Sequence, residues 1–238
     1  MVLDRPGKLN ALSAELLAEV VTACHWLDET PEIRVVVVRG EGRAFSAGFD
    51  LDDFSGLSDG PSPRDVADLG RLAAEALTDT RPITIAAVHG HCVGGGLVLA
   101  AACDLRLAAD TTRFSIPEVD LGIPLAWGGI PRLVRELGPA ITKELVLTCR
   151  PFGAEEAHQL RFLNRIVPEA DVVAVADRLA AEIATKPVFA LRATKQHVNA
   201  VTEEIAGTRR NANDADTLVA AMADEESRRT SRAYLRNR

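Results

Sequence analysis

Two stretches of this sequence combine small residues with the end of a predicted strand, an arrangement that can do chemistry through the main chain. AFSAGFDL (44–51) and HGHCVGGGL (89–97) each lead from a strand end through small residues into the beginning of a helix. Such a junction leaves backbone N–H groups without partners, and small side chains let another oxygen approach them closely. The small residues are Ser46, Ala47 and Gly48 in the first stretch and Gly94, Gly95 and Gly96 in the second.

Brought together, two such turns would form a pocket with two N–H donors for an oxygen that gains negative charge, helped by a helix N-terminus. The alternative is that the glycines serve only tight packing between strand and helix. Either stretch alone would favour that alternative, whereas the pair favours the two-donor pocket.

The sequence does not support a dinucleotide-binding, phosphate-loop, hydrolase or metal motif. Gly40 and Gly42 follow a strand, but Phe45 stands where a dinucleotide-binding turn has its third glycine. The sequence contains no GxxxxGK[ST] phosphate loop and no GxSxG nucleophile turn. His89 and His91 have no nearby carboxylate or cysteine, so hydrogen-bonded core or rim residues are favoured over metal ligands. No metal is expected.

The elements that must position these turns alternate between strand and helix. The predicted strands are 33–40, 82–90, 103–109 and 112–116, of which the first two read as buried on both faces. The predicted helices are 13–29 (with Ser13 as N-cap), 64–79, 95–102, 131–137, 139–148, 154–160, 169–185, 187–206 and 212–235. A turn-rich loop is predicted over 55–63. This order predicts an α/β core followed by a helical C-terminal region.

Composition limits the classes of function. The chain has 238 residues, 47% of them hydrophobic, and a formal net charge of −7, which argues against a nucleic-acid surface. No apolar run is long enough to span a bilayer, and the N-terminus lacks the apolar core of a signal peptide, so a cytoplasmic enzyme is expected. The four cysteines form no CxxC pair and are expected to be buried thiols: Cys24, Cys92, Cys103 and Cys149.

Five segments together resemble the crotonase superfamily, the enoyl-CoA hydratases and isomerases. They are DRPGKLNALS, AFSAGFDL, AAVHGHCVGGGLVLAAACDLRLAA, FSIPEVDLGIP and GGIPRLVRELG, in this order, and the resemblance covers roughly residues 2–235. It implies a spiral of ββα units over 1–185 and a C-terminal helical region over 186–238 that builds a homotrimer, often paired into a hexamer. It also implies an acyl-CoA thioester as substrate, with no separate cofactor because coenzyme A is part of that substrate. The family usually has a further strand before the RPxKxNA motif, so the first hairpin is missing here or the assigned start is late.

The resemblance implies roles for individual residues. The main-chain N–H groups of Phe49 and Gly95 would hold the thioester oxygen, and Glu118 would be the acid/base carboxylate, with its pKa raised by an apolar pocket. The other expected substrate contacts are Lys8 toward the nucleotide, Asp50 and Leu51 along the pantetheine arm, Trp127 at the acyl pocket, and Ala47, Gly48, Gly94, Gly96 and Val98 near the reacting group. An exposed solubilising lysine and simple packing remain the alternatives for Lys8 and Trp127.

Val98 departs from the pattern of the hydratases. Those enzymes place a second glutamate at this position, on the same helix face as Gly95, to hold and deprotonate water. A shift of a double bond from the 3-enoyl to the 2-enoyl position needs only one carboxylate, so we expect isomerisation with Glu118 alone. Asp120 would share the face of Glu118 only in an extended segment. Ala126 stands where dienoyl-CoA isomerases have an additional aspartate.

The sequence leaves other functions open. Hydration with Glu118 and another acid is the first alternative, and a non-catalytic acyl-CoA binding protein is the second. Decarboxylation or thioester hydrolysis through the same enolate is a third, because one fold supports many reactions.

Overall fold

A central parallel sheet, covered by helices, organises the computed structural model, which describes residues 1–50, 62–208, 211 and 213–236. The strands are β1 (Val2–Leu3), β2 (Val35–Gly40), β3 (Ile83–Val88), β4 (His91–Val93), β5 (Leu105–Ala109), β6 (Arg113–Ser115), β7 (Phe152–Gly153) and β8 (Arg165–Val167). The sheet has the order β1-β2-β3-β5-β8, and every neighbouring pair in it is parallel. A smaller sheet has the order β4-β6-β7. The expected mixed α/β class is confirmed.

Helices connect the strands and make up the C-terminal region. They are α1 (Ala14–Glu29), α2 (Pro63–Asp79), α3 (Gly95–Ala102), α4 (Gly129–Leu137), α5 (Pro139–Thr148), α6 (Ala154–Gln159), α7 (Val172–Ala184), α8 (Val188–Ile205), α9 (Asp214–Ala223) and α10 (Glu225–Arg236). Ser13 caps α1, as predicted, by accepting a hydrogen bond from the Leu16 amide. Among the described helices, none has the length and apolar character that a membrane span requires.

The strand β3 lies at the centre of the hydrophobic core. Ala86 and Val88 pack into the main core, whereas Ile85 and Ala87 pack on the opposite face against α7. Burial on both faces is therefore confirmed for this strand. In β2 buried residues alternate with half-buried ones, because α7 covers the second face of that strand only in part.

The structure differs from the sequence prediction in the C-terminal region and in the shortest strands. The helix predicted over 212–235 is two helices, α9 and α10. The chain is extended at Asp224, whose carboxylate accepts a hydrogen bond from the Ser227 amide and so caps α10. The helix predicted over 169–185 begins as a 3-10 turn at Glu169–Asp171. The strands β1, β4, β7 and β8 were not predicted, since two or three residues show little alternation; β6 is equally short but was predicted over 112–116.

Candidate active site

The two turns rich in small residues lie side by side. The Phe45 amide donates to the His89 carbonyl, the Ser46 amide to the His91 carbonyl and the Val93 amide to the Ser46 carbonyl, over 2.8–3.0 Å. These bonds place the strand end after β2 against β4. The structure therefore brings together the segments 44–50 and 89–97, as the sequence predicted.

Most of the amides in the first turn are used inside the chain. The amides of Ser46, Ala47 and Asp50 donate to main-chain carbonyls, and that of Gly48 donates to the Ser46 hydroxyl. In the second turn the Gly94 amide donates to the Ser115 carbonyl. Gly95 is the first residue of α3, so its amide has no acceptor within its own helix.

Gly48 allows the two backbones to approach each other. It has a φ of +87°, which residues with a side chain rarely adopt. A Cβ at this position would lie 2.8 Å from the Val93 carbonyl oxygen and 3.7 Å from the Gly95 nitrogen. The glycine thus serves both the turn and the close contact between the segments.

Each glycine of the run 94–96 faces a different group of the protein. A Cβ at Gly94 would overlap the Glu118 carboxylate, and one at Gly95 would overlap the Trp127 ring. A Cβ at Gly96 would lie 2.7 Å from the Ser46 Cβ. The run therefore also serves packing, which was the alternative interpretation of its sequence.

Glu118 lies in the turn that follows β6 and is 9% exposed. Its Oε2 atom is buried without a hydrogen-bond partner in the described part of the chain. Burial disfavours the charged form and raises the pKa of this carboxyl from its ordinary value of 4.5 to about 7. A carboxyl group with this pKa can both accept and return a proton near neutral pH.

A small apolar cavity of about 40 Å³ lies in front of this carboxylate. Its described lining residues are Phe49, Val66, Ala67, Gly95, Val98, Glu118, Ile123, Pro124, Leu125, Ala126, Trp127 and Leu218. Gly95 and Val98 both line it, in agreement with the shared helix face expected from their spacing. Glu118 is the sole carboxylate among these residues.

Asp120 lies away from the cavity. Hydrogen bonds from the Leu121 amide to the Pro117 carbonyl and from the Ile123 amide to the Glu118 carbonyl close a turn over this segment. The segment is therefore not extended, and the Asp120 side chain is exposed to solvent. Of the two acids in PEVDLG, the structure places Glu118 at the cavity.

Comparison with known proteins assigns the family. The family model described as enoyl-CoA hydratase/isomerase matches residues 1–238. The chain belongs to the enoyl-CoA hydratase/isomerase family. It is 38% identical over 201 residues to the "Probable enoyl-CoA hydratase echA8" of Mycobacterium tuberculosis, covering 84% of this chain and 76% of the relative. It is 36% identical over 179 residues to a peroxisomal "Delta(3,5)-Delta(2,4)-dienoyl-CoA isomerase" of Arabidopsis thaliana, covering 70% of this chain and 64% of the relative.

Solved structures agree with this assignment. The crystal structure of an enoyl-CoA hydratase/isomerase from Mycobacterium paratuberculosis superimposes with a TM-score of 0.89 and 27% sequence identity. That match covers 98% of this chain and 92% of the other. The crotonase fold expected from the resemblance is confirmed.

The residues expected at the CoA portion of a substrate form a charged cluster in this family member. Asp50 is 5% exposed and pairs with Arg5 at 2.8 Å and with Lys8 at 3.4 Å. The Lys8 side chain is about half exposed. Arg5 was not among the predicted site residues, although it stands in the same RPxKxNA loop. Leu51 lies outside the described residues.

The described residues around the cavity do not include Lys8, Ala47, Gly48, Asp50, Gly94 or Gly96. Sequence reasoning missed much of the wall, because Val66 and Ala67 come from α2 and Leu218 comes from α9. The sequence predicted a helix over 64–79, but it did not indicate which cavity that helix would line.

The histidines and cysteines form no metal site in the described part of the chain. His89 Nε2 is hydrogen-bonded to the Gly42 carbonyl at 3.0 Å, whereas His91 is exposed. All four cysteines are free and buried, as predicted.

Proposed function

We propose that this chain moves the double bond of a 3-enoyl-CoA to the 2-enoyl position, with Glu118 as the single acid/base. The observation that carries the proposal is that Glu118 is the one carboxylate among the described residues lining the cavity, while Val98 stands where a second one is expected. The raised pKa of Glu118 suits a group that must take up and release a proton.

The reaction needs one proton to leave and one to return. The Glu118 carboxylate removes a proton from carbon 2, and the electron pair of that C–H bond moves into the conjugated dienolate. The carboxyl group then returns a proton to carbon 4. Substrate and product have the same atoms, so this step requires neither water nor a cofactor.

Negative charge moves onto the thioester oxygen during this step, and two backbone N–H groups would stabilise it. We assign this role to Gly95 and Phe49, both of which line the cavity. One donor of this kind contributes ~2.7–4 kcal/mol to the stabilisation of a transition state. Replacing the amide before Gly95 by an ester removes the N–H and adds no side chain. We expect it to lower kcat ~10²–10³-fold, and an unchanged kcat would refute this role for Gly95.

Hydration of a 2-enoyl-CoA is the second candidate, and the names of the relatives favour it. It requires a water molecule to be held and deprotonated while the α-carbon gains a proton. The described cavity wall offers one carboxylate for these tasks and is otherwise mostly apolar. Isomerisation is the reaction that this set of groups supports best.

The test compares the purified protein on 3-enoyl-CoA and 2-enoyl-CoA. We expect faster isomerisation of the first than hydration of the second, and a loss of ~10²–10⁴ in rate in Glu118→Gln. Asp120→Asn is the matched control, since it removes a neighbouring carboxylate that is exposed, and it should keep full activity. Faster hydration, or an active Glu118→Gln variant, would contradict the proposal.

A non-catalytic acyl-CoA binding protein is the rival from another class. Calorimetry that detects acyl-CoA binding, together with no turnover of either enoyl-CoA, would select it. The retained, buried Glu118 argues against it.

Assembly into a trimer or hexamer is part of the proposal. Apolar side chains on α8 are exposed in the single chain: Phe189, Val198, Val201 and Ile205. Exposed apolar residues grouped on one helix are typical of an interface. Light scattering coupled to size-exclusion chromatography tests this expectation, and a monomer at micromolar concentration would contradict it.

A further inference from the structure

Trp127 has a backbone conformation that is unusual for a large side chain. Its φ is +62°, and Gly128, which follows, has a φ of +67°. For a bulky residue the left-handed region is strained, so surrounding contacts must hold the residue there. The two left-handed residues turn the chain immediately before α4, and the indole is buried, with 6% exposure.

Two glycines on different helices make room for the indole. A Cβ at Gly70 of α2 or at Gly95 of α3 would overlap atoms of the ring. The ring therefore occupies a slot between two helix backbones, and any other residue at either glycine would displace it. These contacts agree with the alternative that Trp127 serves packing.

Two directional contacts fix the orientation of the ring. Trp127 Nε1 donates a hydrogen bond to the Ala67 carbonyl at 3.0 Å. Phe49 contacts the ring in an edge-to-face arrangement, with centroids 5.7 Å apart and planes at 77°. Because the ring is held between two helix backbones, by Phe49 and by the hydrogen bond of its nitrogen, it forms a fixed wall of the cavity in front of Glu118.

We propose that Trp127 determines specificity by limiting the enzyme to short acyl groups; this inference rests on the proposed isomerisation at the same site. The cavity volume of about 40 Å³ is much smaller than the roughly 150 Å³ of an engineered apolar cavity that holds benzene. A longer tail would have to occupy the space that the indole fills. Gly70 and Gly95 are then specificity-determining together with Trp127, because they allow the ring to stand there.

The first test uses the unmodified protein on 3-enoyl-CoAs of four, six, eight and ten carbons. We expect the highest kcat/KM for the four-carbon substrate and at least a tenfold lower value for the ten-carbon one. Burial of a methylene ordinarily raises affinity ~fourfold, so an unobstructed pocket would show the opposite trend. A kcat/KM that rises with chain length would overturn the proposal.

The second test enlarges the cavity with Trp127→Leu and, more mildly, with Trp127→Phe. We expect the preferred chain length to increase in the order tryptophan, phenylalanine, leucine. Trp26→Phe is the matched control, because Trp26 is the other tryptophan and is 57% exposed on α1. Folded Trp127 variants with the same chain-length profile as the unmodified protein would contradict the proposal.

A binding measurement separates this inference from the proposed reaction. In Trp26→Phe, Trp127 is the single tryptophan, so its fluorescence reports on the cavity wall. Titration with short saturated acyl-CoAs should change this fluorescence. The affinity derived from the titration should be at least tenfold lower for long acyl chains than for short ones. If no enoyl-CoA is turned over but this cut-off is present, the proposed reaction fails and the role of Trp127 stands. Equal affinity for all chain lengths would refute the role of Trp127, whatever the catalytic result.

Discussion

Replacing the buried carboxyl of Glu118 by the neutral amide of glutamine should stabilise the protein while abolishing catalysis. Glu118 is 9% exposed, and its Oε2 atom has no hydrogen-bond partner among the described residues. Above neutral pH the folded chain must therefore hold a charge that burial disfavours. Glutamine keeps nearly the same shape without that charge.

The magnitude follows from the shift of the pKa. Burial raises the pKa of Glu118 from 4.5 to about 7, and each pKa unit corresponds to about 1.4 kcal/mol. Below pH 4.5 the carboxyl is protonated in both the folded and the unfolded chain, so no charge is buried on folding. Between pH 4.5 and 7 the folded chain binds the proton more tightly than the unfolded chain, so stability falls as pH rises. Above pH 7 the full cost, about 3 kcal/mol, is present.

Urea denaturation from pH 4 to pH 9 measures this difference directly. We expect Glu118→Gln to match the unmodified protein at the acidic end and to exceed its free energy of unfolding by up to about 3 kcal/mol at pH 8. Asp120→Asn, at an exposed site two residues away, should show no such pH-dependent gain. In the unmodified enzyme, kcat/KM should rise with pH through about 7, since the ionised carboxyl removes the proton.

Two results would refute this reasoning. The first is a difference in stability between Glu118→Gln and the unmodified protein that does not change with pH, because it would show that the carboxyl is not desolvated. The second is an activity profile with a midpoint near pH 4.5, which would show the same in the presence of substrate.

Three further predictions concern the wall of the cavity and the charged cluster at Asp50. Val98→Glu should raise the rate of 2-enoyl-CoA hydration ~10²-fold or more and lower the free energy of unfolding by about 3 kcal/mol at pH 8. Val98→Gln, which adds no carboxylate, should not raise that rate. Gly70→Ala should displace the Trp127 ring and cost about 1–3 kcal/mol in thermal or urea unfolding; Gly7→Ala, where an added Cβ meets no described atom within 4 Å, should change stability little. Asp50→Asn removes the buried carboxylate that pairs with Arg5 and Lys8. We expect the free energy of unfolding to fall by about 1–3 kcal/mol, and by less in high salt. An unchanged midpoint of urea unfolding would contradict the ion pairs.

The sequence predicted the longer elements well, because their apolar residues repeat at the spacing of the element. The helix predicted over 13–29, with Ser13 as its N-cap, is observed over Ala14–Glu29, and the helix predicted over 64–79 is observed over Pro63–Asp79. The break at Asp224 was missed, because strong helix formers stand on both sides of it, alanines before and glutamates and arginines after, and one capping side chain makes the difference. A single capping residue such as Asp224 does not by itself identify a helix boundary, because aspartate also occurs within helices.

Parts of the site that depend on a short stretch of sequence could be predicted, whereas parts built from distant segments could not. The two small-residue turns could be predicted from their own residues, whereas the role of Glu118 was expected from the resemblance to the family. Much of the cavity wall could not be predicted, because α2 and α9 contribute to it from distant parts of the chain. The salt bridge from Arg5 to Asp50 was missed for the same reason, as it joins two loops that meet only after β2 pairs with its neighbours.

The run Gly94–Gly96 shows how a single motif can meet several physical demands that its sequence cannot separate. One glycine admits the Glu118 carboxylate, the next admits the Trp127 ring and the third admits Ser46. An alanine at any of them would collide with a different neighbour, so each substitution would lower activity whether or not a backbone amide binds the substrate. Inactive alanine variants in this run are therefore no evidence for an oxyanion hole. The N–H of Gly95 must be removed without adding an atom before its contribution to the transition state can be distinguished from that of the side chains packed against it.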